Sequence, residues 1–168
     1  ISLFHAKKRL PKVVSGSDGE TIDFGYVGDV VSMKTKHLDI LLQENIIPVV
    51  SPLCASNEGE CLNINADTIA TSIAANMNAK KIVLITKIGG VFEDINNLDS
   101  RLKTLTISQA KEKINKNIIQ GGMIPKLEES FPLLEKQLQM IHIVGTDKKE
   151  TLLNEIENPG SEGTVITC

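Results

Sequence analysis

Asp67-Thr68-Ile69-Ala70-Thr71-Ser72-Ile73-Ala74-Ala75-Asn76-Met77, followed shortly by Ile82-Val83-Leu84-Ile85, is the stretch on which the fold turns. Ile69, Ile73 and Met77, with Ala70 and Ala74 beside them, recur at helical spacing and trace one apolar stripe. The continuous apolar run that follows suits a strand buried in a sheet. A helix leading directly into such a strand is the repeating unit of α/β domains.

The same alternation extends in both directions. Towards the N-terminus, Ile46-Ile47-Pro48-Val49-Val50 reads as a strand buried on both faces, preceded by a helix carrying Leu38, Leu41 and Leu42 and by the β-prone pair Val30-Val31. Lys12 to Val14 and Thr21 to Phe24 flank the turn cluster Ser15-Gly16-Ser17-Asp18-Gly19 and predict a β-hairpin. Towards the C-terminus, Thr106 with Gln109 has the form of a capping box opening a helix through Lys116, and a second helix follows Gly121-Gly122. Strand Met140 to Val144 comes next. Asp147 with Glu150 is expected to cap a helix carrying Leu152, Leu153 and Ile156, which Pro159-Gly160 stops before a last strand, Thr164 to Thr167. The expected architecture is α/β, a mostly parallel sheet sandwiched by helices, with an N-terminal β-hairpin. Pro132 falls inside the helix described by Met123, Leu127, Leu134 and Leu138, and predicts a kink or break near Ser130 with a restart at Pro132.

The 168 residues are enough for one sizeable core, and 41% apolar with 23% charged residues excludes a disordered or fibrous chain. No apolar run approaches membrane-spanning length and no signal-peptide pattern opens the chain, so a cytoplasmic location is expected and no membrane contact. A net charge of -3 with 3% aromatic residues disfavours nucleic acid, which calls for clustered positive charge or stacking platforms. Cys54, Cys61 and Cys168 form no metal-binding or redox pattern and read as reduced thiols. The chain opens on Ile1 without a Met, in the manner of a piece of something longer.

Three stretches carry candidate chemistry. Gly121-Gly122-Met123-Ile124-Pro125-Lys126 joins a flexible backbone to a helix start, and the Lys126 side chain, tilted back along the helix, can reach an anion addressed by the glycine amides. Read alone, this is a glycine-rich turn followed by a solvated lysine. Asn63, Asn65 and Asp67 alternate with Leu62, Ile64 and Ala66, so an extended segment puts three polar groups on one face; the bland reading has Asp67 capping its helix. Thr86-Lys87-Ile88-Gly89-Gly90-Val91-Phe92 leaves the C-terminal end of a strand, where open α/β sheets collect ligands. Neither a P-loop nor a Rossmann fingerprint occurs. His5, His37 and His142 have no catalytic partner in the sequence, and His142 reads as a core or edge residue.

Taken in order, Gly25-Tyr26-Val27-Gly28-Asp29-Val30, Asn63-Ile64-Asn65-Ala66-Asp67, Thr86 to Val91, Gly121-Gly122-Met123-Ile124-Pro125-Lys126-Leu127 and Gly163-Thr164-Val165-Ile166 resemble the amino acid kinase family, and within it the acetylglutamate kinases. The resemblance implies an αβα sandwich of which residues 1–168 are the C-terminal, ATP-binding portion. A preceding substrate half, absent from this chain, would bring a glycine-rich phosphate loop, a further lysine and an arginine. It implies ATP with Mg²⁺, and transfer of the γ-phosphoryl group to the side-chain carboxylate of N-acetyl-L-glutamate in arginine biosynthesis. By the same resemblance Lys126 neutralises the moving phosphoryl group, Asp67 orients the catalytic lysines and Asn63 contacts the acetylated substrate. The nucleotide is expected against Thr86, Lys87, Gly90, Val91, Phe92, Gln120, Gly121, Gly122 and Met123, with no metal ligand assigned to the chain. Lys87 departs from the acetylglutamate kinases, which usually carry aspartate there, and resembles the uridylate kinases. A homo-oligomer when intact, a PII-type regulator as partner and inactivity of the fragment alone are further expectations. The alternatives are a related carboxylate kinase acting on an aminoadipate derivative and a non-catalytic nucleotide-binding or regulator-docking module.

Overall fold

The computed structural model describes residues 3–13, 20–146 and 149–168. The chain divides into two compact units, Ile1–Met77 and Asn78–Cys168, so the single core expected from its length is split into two.

In the first unit β1 (Phe4–Lys8) is followed by β2 (Lys12–Val13), β3 (Thr21–Ile22) and β4 (Gly28–Met33). Helix α1 (Lys36–Gln43), β5 (Leu53–Ala55), β6 (Cys61–Asn63) and α2 (Ala66–Asn76) complete it. β1 pairs antiparallel with β4, β2 with β3, and β5 with β6. The predicted hairpin is therefore present as the β2–β3 pair; its turn, Ser15 to Gly19, lies outside the described residues. Phe4 and Ala6 alternate inward from β1 and meet Cys54, Leu62, Ile64 and Ile69 in the core. β4 can approach β6 because Gly28 has no side chain: a Cβ there would lie 2.9 Å from Cδ1 of both Leu62 and Ile64. The Asn63 amide donates to the Tyr26 carbonyl (2.8 Å), which joins the Gly25–Val30 motif to the Asn63–Asp67 motif.

The run Ile46 to Val50 forms no strand, contrary to its apolar pattern, and Ile47 and Val49 are 86% and 97% exposed. Two local constraints explain this. Ile46 belongs to the end of α1: with Asn45 left-handed (φ 57°), the amides of Asn45 and Ile46 donate to the carbonyls of Leu42 and Leu41, a Schellman cap. Pro48 then removes a ladder donor, and among the described residues no strand lies beside the run.

The second unit runs β7 (Lys81–Ile85), β8 (Val91–Phe92), β9 (Arg101–Leu102), β10 (Thr104–Thr106), α3 (Ile107–Asn115), α4 (Met123–Leu134), β11 (Met140–Val144), α5 (Thr151–Glu157) and β12 (Thr164–Thr167). Its four-stranded sheet has the order β10-β12-β11-β7, parallel at β10–β12 and β11–β7 and antiparallel at β11–β12. β11 is buried on both faces, since Ile141, His142, Ile143 and Val144 are each 0% exposed. Helices α4 and α5 both pack on it. α3 opens with the expected capping box: Thr106 Oγ1 accepts from the Gln109 amide (3.2 Å) while Gln109 Oε1 accepts from the Thr106 amide (2.8 Å). No described helix is long and apolar enough to cross a membrane.

Two expectations are corrected here, the break in α4 and the cap of α5. α4 does not break near Ser130 or restart at Pro132 but runs unbroken through it to Leu134. Pro132 and Glu128 are both exposed, so the carbonyl that loses its donor faces water, while the buried Ser130 hydroxyl donates to the Lys126 carbonyl (2.9 Å). Glu150 supplies no side-chain cap to α5; it enters the helix left-handed at φ 71°, and Asp147 lies outside the described residues.

The buried charge of this unit is Glu155, on α5 and 0% exposed. Oε1 accepts from the Gly160 amide (2.8 Å) and lies 2.9 Å from His142 Nδ1; Oε2 accepts from the amides of Glu162 (3.0 Å) and Gly163 (2.8 Å). Burial pushes this carboxyl towards its neutral form, but the donors from Gly160, His142, Glu162 and Gly163 outweigh it and hold the group below the ordinary glutamate value. A depressed folded-state value stabilises the protein above the unfolded value, about 4.3, and that contribution is lost as pH falls through the lower folded value. The urea midpoint is therefore expected to fall as the pH drops below about 4, and Glu155→Gln to be weaker at neutral pH and to lose less over that acid interval. Parallel acid limbs for the two proteins would contradict this.

Candidate functional site

β7 ends at Ile85, and the Thr86 amide donates to the Val144 carbonyl (2.9 Å), so the chain leaves the sheet still attached to β11. Thr86 Oγ1 then accepts from the Gly89 amide (3.0 Å), turning the chain back. Gly89 is left-handed at φ 78°, and a Cβ there would lie 3.2 Å from Gly145 Cα. A Cβ on Gly90 would lie 3.0 Å from Thr164 Oγ1 and 3.1 Å from Arg101 Cδ. The paired glycines thus serve close packing, and they deliver Val91 and Phe92, both buried, into β8 against β9.

Beside this segment lies a cavity of about 330 Å³, at the small end of the range for small-molecule sites. Gly90, Val91, Phe92, Gln120 and Met123 line it together, so two stretches far apart in sequence meet there. Ile88, Glu93, Asp94, Ile95 and Asn117 to Ile119 complete the lining. Asn117 had a local signal: it follows α3 left-handed at φ 56°, in a Schellman cap in which the Asn117 and Ile118 amides donate to the Ile114 and Lys113 carbonyls. Glu93 and Asp94 had none. Glu93 pairs with Lys113, and Asp94 Oδ1 accepts from the Asn96 amide (2.9 Å).

Gly121 and Gly122 lie just before α4 and outside the cavity lining, with open space where a Cβ would stand. Gly121 is left-handed at φ 58°. The Met123 and Ile124 amides donate to the Gln120 and Gly121 carbonyls at 3.4 and 3.2 Å, Pro125 has none to offer, and the amides of Gly121 and Gly122 have no partner among the described residues. The anion-facing amides expected at this helix start are thereby narrowed to the two glycines. Leu127, 0% exposed, fixes the rotation of α4 and leaves Lys126 half-buried in the first turn. Thr86 is half-buried and acts as a turn residue. Lys87 is exposed and does not line the cavity.

Asn63, Asn65 and Asp67 lie in the first unit. Leu62 and Ile64 are buried while Asn63 and Asn65 are exposed, so the alternation holds to Asn65. It ends there because Asn65 is itself the cap of α2: its Oδ1 accepts from the Asp67 amide (2.9 Å). The cap is thus Asn65 and not Asp67, whose half-buried carboxylate lies on the first turn of α2. Among the described residues no group of three or more His, Cys, Asp or Glu side chains could hold a metal ion.

A strand that turns at paired glycines onto the wall of a small cavity, shared with the start of a glycine-led helix bearing a lysine, is a form suited to gripping a phosphorylated ligand. The chain belongs to the amino acid kinase family, whose pattern it matches over residues 3–145. It is 39% identical over 164 residues to acetylglutamate kinase of Methanococcus maripaludis (strain C5 / ATCC BAA-1333), covering 98% of this chain and 56% of that protein. To acetylglutamate kinase of Methanocaldococcus jannaschii it is 41% identical over 163 residues, covering 96% and 54%. The chain thus spans about half the length of the curated relatives it matches. A solved structure from Streptococcus mutans superposes with a TM-score of 0.70 at 30% identity over 98% of this chain and 56% of its own. N-acetylglutamate synthase from Neisseria gonorrhoeae superposes with a TM-score of 0.80 at 22% identity, over 99% of this chain and 37% of its own, a likeness of fold.

Because Lys87 is exposed to solvent, Lys87→Asp is expected to change the affinity of the chain for ATP by no more than several-fold, an exposed charge contributing about 1 kcal/mol or less. Isothermal titration of both forms checks this, and a loss beyond a hundredfold would make Lys87 a principal phosphate ligand.

Proposed function

We propose that the intact protein transfers the γ-phosphoryl group of ATP to the side-chain carboxylate of N-acetyl-L-glutamate, giving an acyl phosphate for arginine biosynthesis, and that this chain supplies the nucleotide-binding portion. The observation that carries the reading is the meeting of Gly90–Phe92 with Gln120 and Met123 on one cavity, at the head of the helix that bears Lys126. The apolar walls, Ile88, Val91 and Ile119, suit the base of a nucleotide, and the Asp94 carboxylate, beside a Glu93 already paired with Lys113, disfavours its phosphates at that end. The open amides of Gly121 and Gly122, with Lys126 one turn on, suit the phosphates at the other.

ATP would supply the phosphoryl group and Mg²⁺ bound with it would supply charge compensation. Lys126 adds positive charge where negative charge gathers on the transferring group. Asp67 is assigned the orientation of lysines and Asn63 a contact to the acetylated substrate, both by likeness to the family. Homo-oligomerisation, a PII-type regulator and a cytoplasmic location belong to the same reading of the whole enzyme.

In the enzyme extended to the length of its relatives, Lys126→Met is expected to lower kcat by about 10²–10³ while the KM for ATP moves only several-fold. Steady-state kinetics with N-acetylglutamate and, in parallel, an aminoadipate derivative measure both; equal losses in kcat and affinity would reduce Lys126 to a binding residue, and preference for the longer acid would reassign the substrate.

The 168-residue chain alone is expected to bind ATP without phosphorylating N-acetylglutamate. Sustained acyl phosphate formation, trapped as the hydroxamate, would overturn the division of labour.

A further inference from the structure

The turn from Gly160 to Gly163 is held from both sides of its backbone. Glu155 takes the amides of Gly160, Glu162 and Gly163, and Arg101 donates to the carbonyls of Gly160 (3.3 Å), Ser161 (2.8 Å) and Gly163. Gly163 is pressed so closely onto β11 that a Cβ would lie 2.3 Å from the Ile143 carbonyl oxygen. The next residue, Thr164, is 0% exposed; its hydroxyl donates to the Leu102 carbonyl (2.6 Å) and accepts from the Val91 amide (2.9 Å). Val91 is a wall of the cavity, Arg101 pairs in register with Phe92, and Arg101 also packs against Gly90.

We propose that Glu155 is a positioning residue for the nucleotide cleft: acting with Arg101 through the 160–163 turn and Thr164, it sets the backbone of Gly90–Phe92 that the nucleotide meets. This rests on the nucleotide reading of the cavity. The geometry favours positioning over simple support. A side chain that merely filled this space could be an apolar one of similar volume, whereas Glu155, with no Lys or Arg partner among the described residues, spends its oxygens on main-chain donors and an imidazole. What an apolar side chain cannot do is orient three amides of one turn and an imidazole at once, and those contacts converge on the one hydroxyl that anchors Val91. Glutamine at this position keeps the shape but turns a donor towards part of that set.

Amide hydrogen exchange on the whole chain tests the coupling without any activity. In Glu155→Gln the Val91 and Gly163 amides are expected to exchange at least about tenfold faster, over and above the general rise that the lower stability of the variant gives the β7 amides of Ile82 to Leu84. Unchanged exchange at Val91 overturns the proposal. Thr164→Val, which keeps the shape and removes the acceptor, is expected to speed Val91 alone, and serves if Glu155→Gln fails to fold; an unaffected Val91 amide there overturns it equally. Calorimetric titration with a non-hydrolysable ATP analogue is then expected to give about tenfold weaker binding for both variants. Ile143→Val, as a core substitution in the same unit, is expected to leave that affinity unchanged, and an equal loss in it would show a structural role only. Faster exchange at Val91 in a chain whose unsubstituted form binds no adenine nucleotide supports the coupling and refutes the nucleotide reading.

Discussion

The second unit depends on how buried backbone amides are satisfied at the ends of its sheet. Glycines allow β11, the 160–163 turn and the 86–92 segment to come within contact of one another, and close approach strips water from their polar groups. Each stripped group then needs a partner from the protein. Glu155 answers for Gly160, Glu162 and Gly163, Thr164 answers for Val91, and Thr86 for Gly89. Without these acceptors the same close packing would leave orphaned donors, each costing about 1–3 kcal/mol. Packing and polar satisfaction are therefore one constraint, and the cavity beside Val91 and Phe92 is where its result becomes a surface.

Much of the fold was legible because its signals are local. The capping box at Thr106 and Gln109, the stripe of Ile69 and Ile73, and the stop at Gly160, left-handed at φ 83°, each declare themselves within a few residues. The failures come where two local rules compete. Ile46 is apolar enough for a strand, yet it completes the cap of α1 first. Pro132 should interrupt a helix, yet the lost bond lies on the solvated side and Leu127, Phe131 and Leu134 hold the other side in the core. Apolar burial on one face outweighs a helix defect that water can mend on the other.

The candidate site was legible to a different depth. Glycine pairs mark Gly89-Gly90 and Gly121-Gly122 in the sequence, and the two pairs act differently in the fold, with tight packing at the first and, at the second, open space and amides without a partner among the described residues. Glu93, Asp94 and Ile119 join the lining only because the chain between β8 and α4 returns to β8, a long-range event without a signature in any short window. Arg101 and Glu155 were invisible for the same reason. Apart from the His142 imidazole beside Glu155, the hydrogen-bond partners described for them are main-chain atoms, and a sequence names side chains only.

The two glycine pairs stand in surroundings of different polarity. Gly90 packs tightly on Thr164 and Arg101, and the cavity beside it is lined by Ile88, Val91 and Phe92 and bounded by Glu93 and Asp94. The Gly121–Gly122 amides, open and unpartnered among the described residues, face no such crowding and have Lys126 one turn away. On the proposed function, a ligand with an apolar head and an anionic tail finds groups of both polarities within this unit. The carboxylate Asp67 and the amide Asn63, which the family likeness ties to the acceptor and the lysines, are placed by the other unit, on a separate core. On the proposed function the donor is bound by groups of the second unit, while Asp67 and Asn63 are assigned to transfer from the first, which is the physical reason to expect affinity for nucleotide to be less demanding than catalysis.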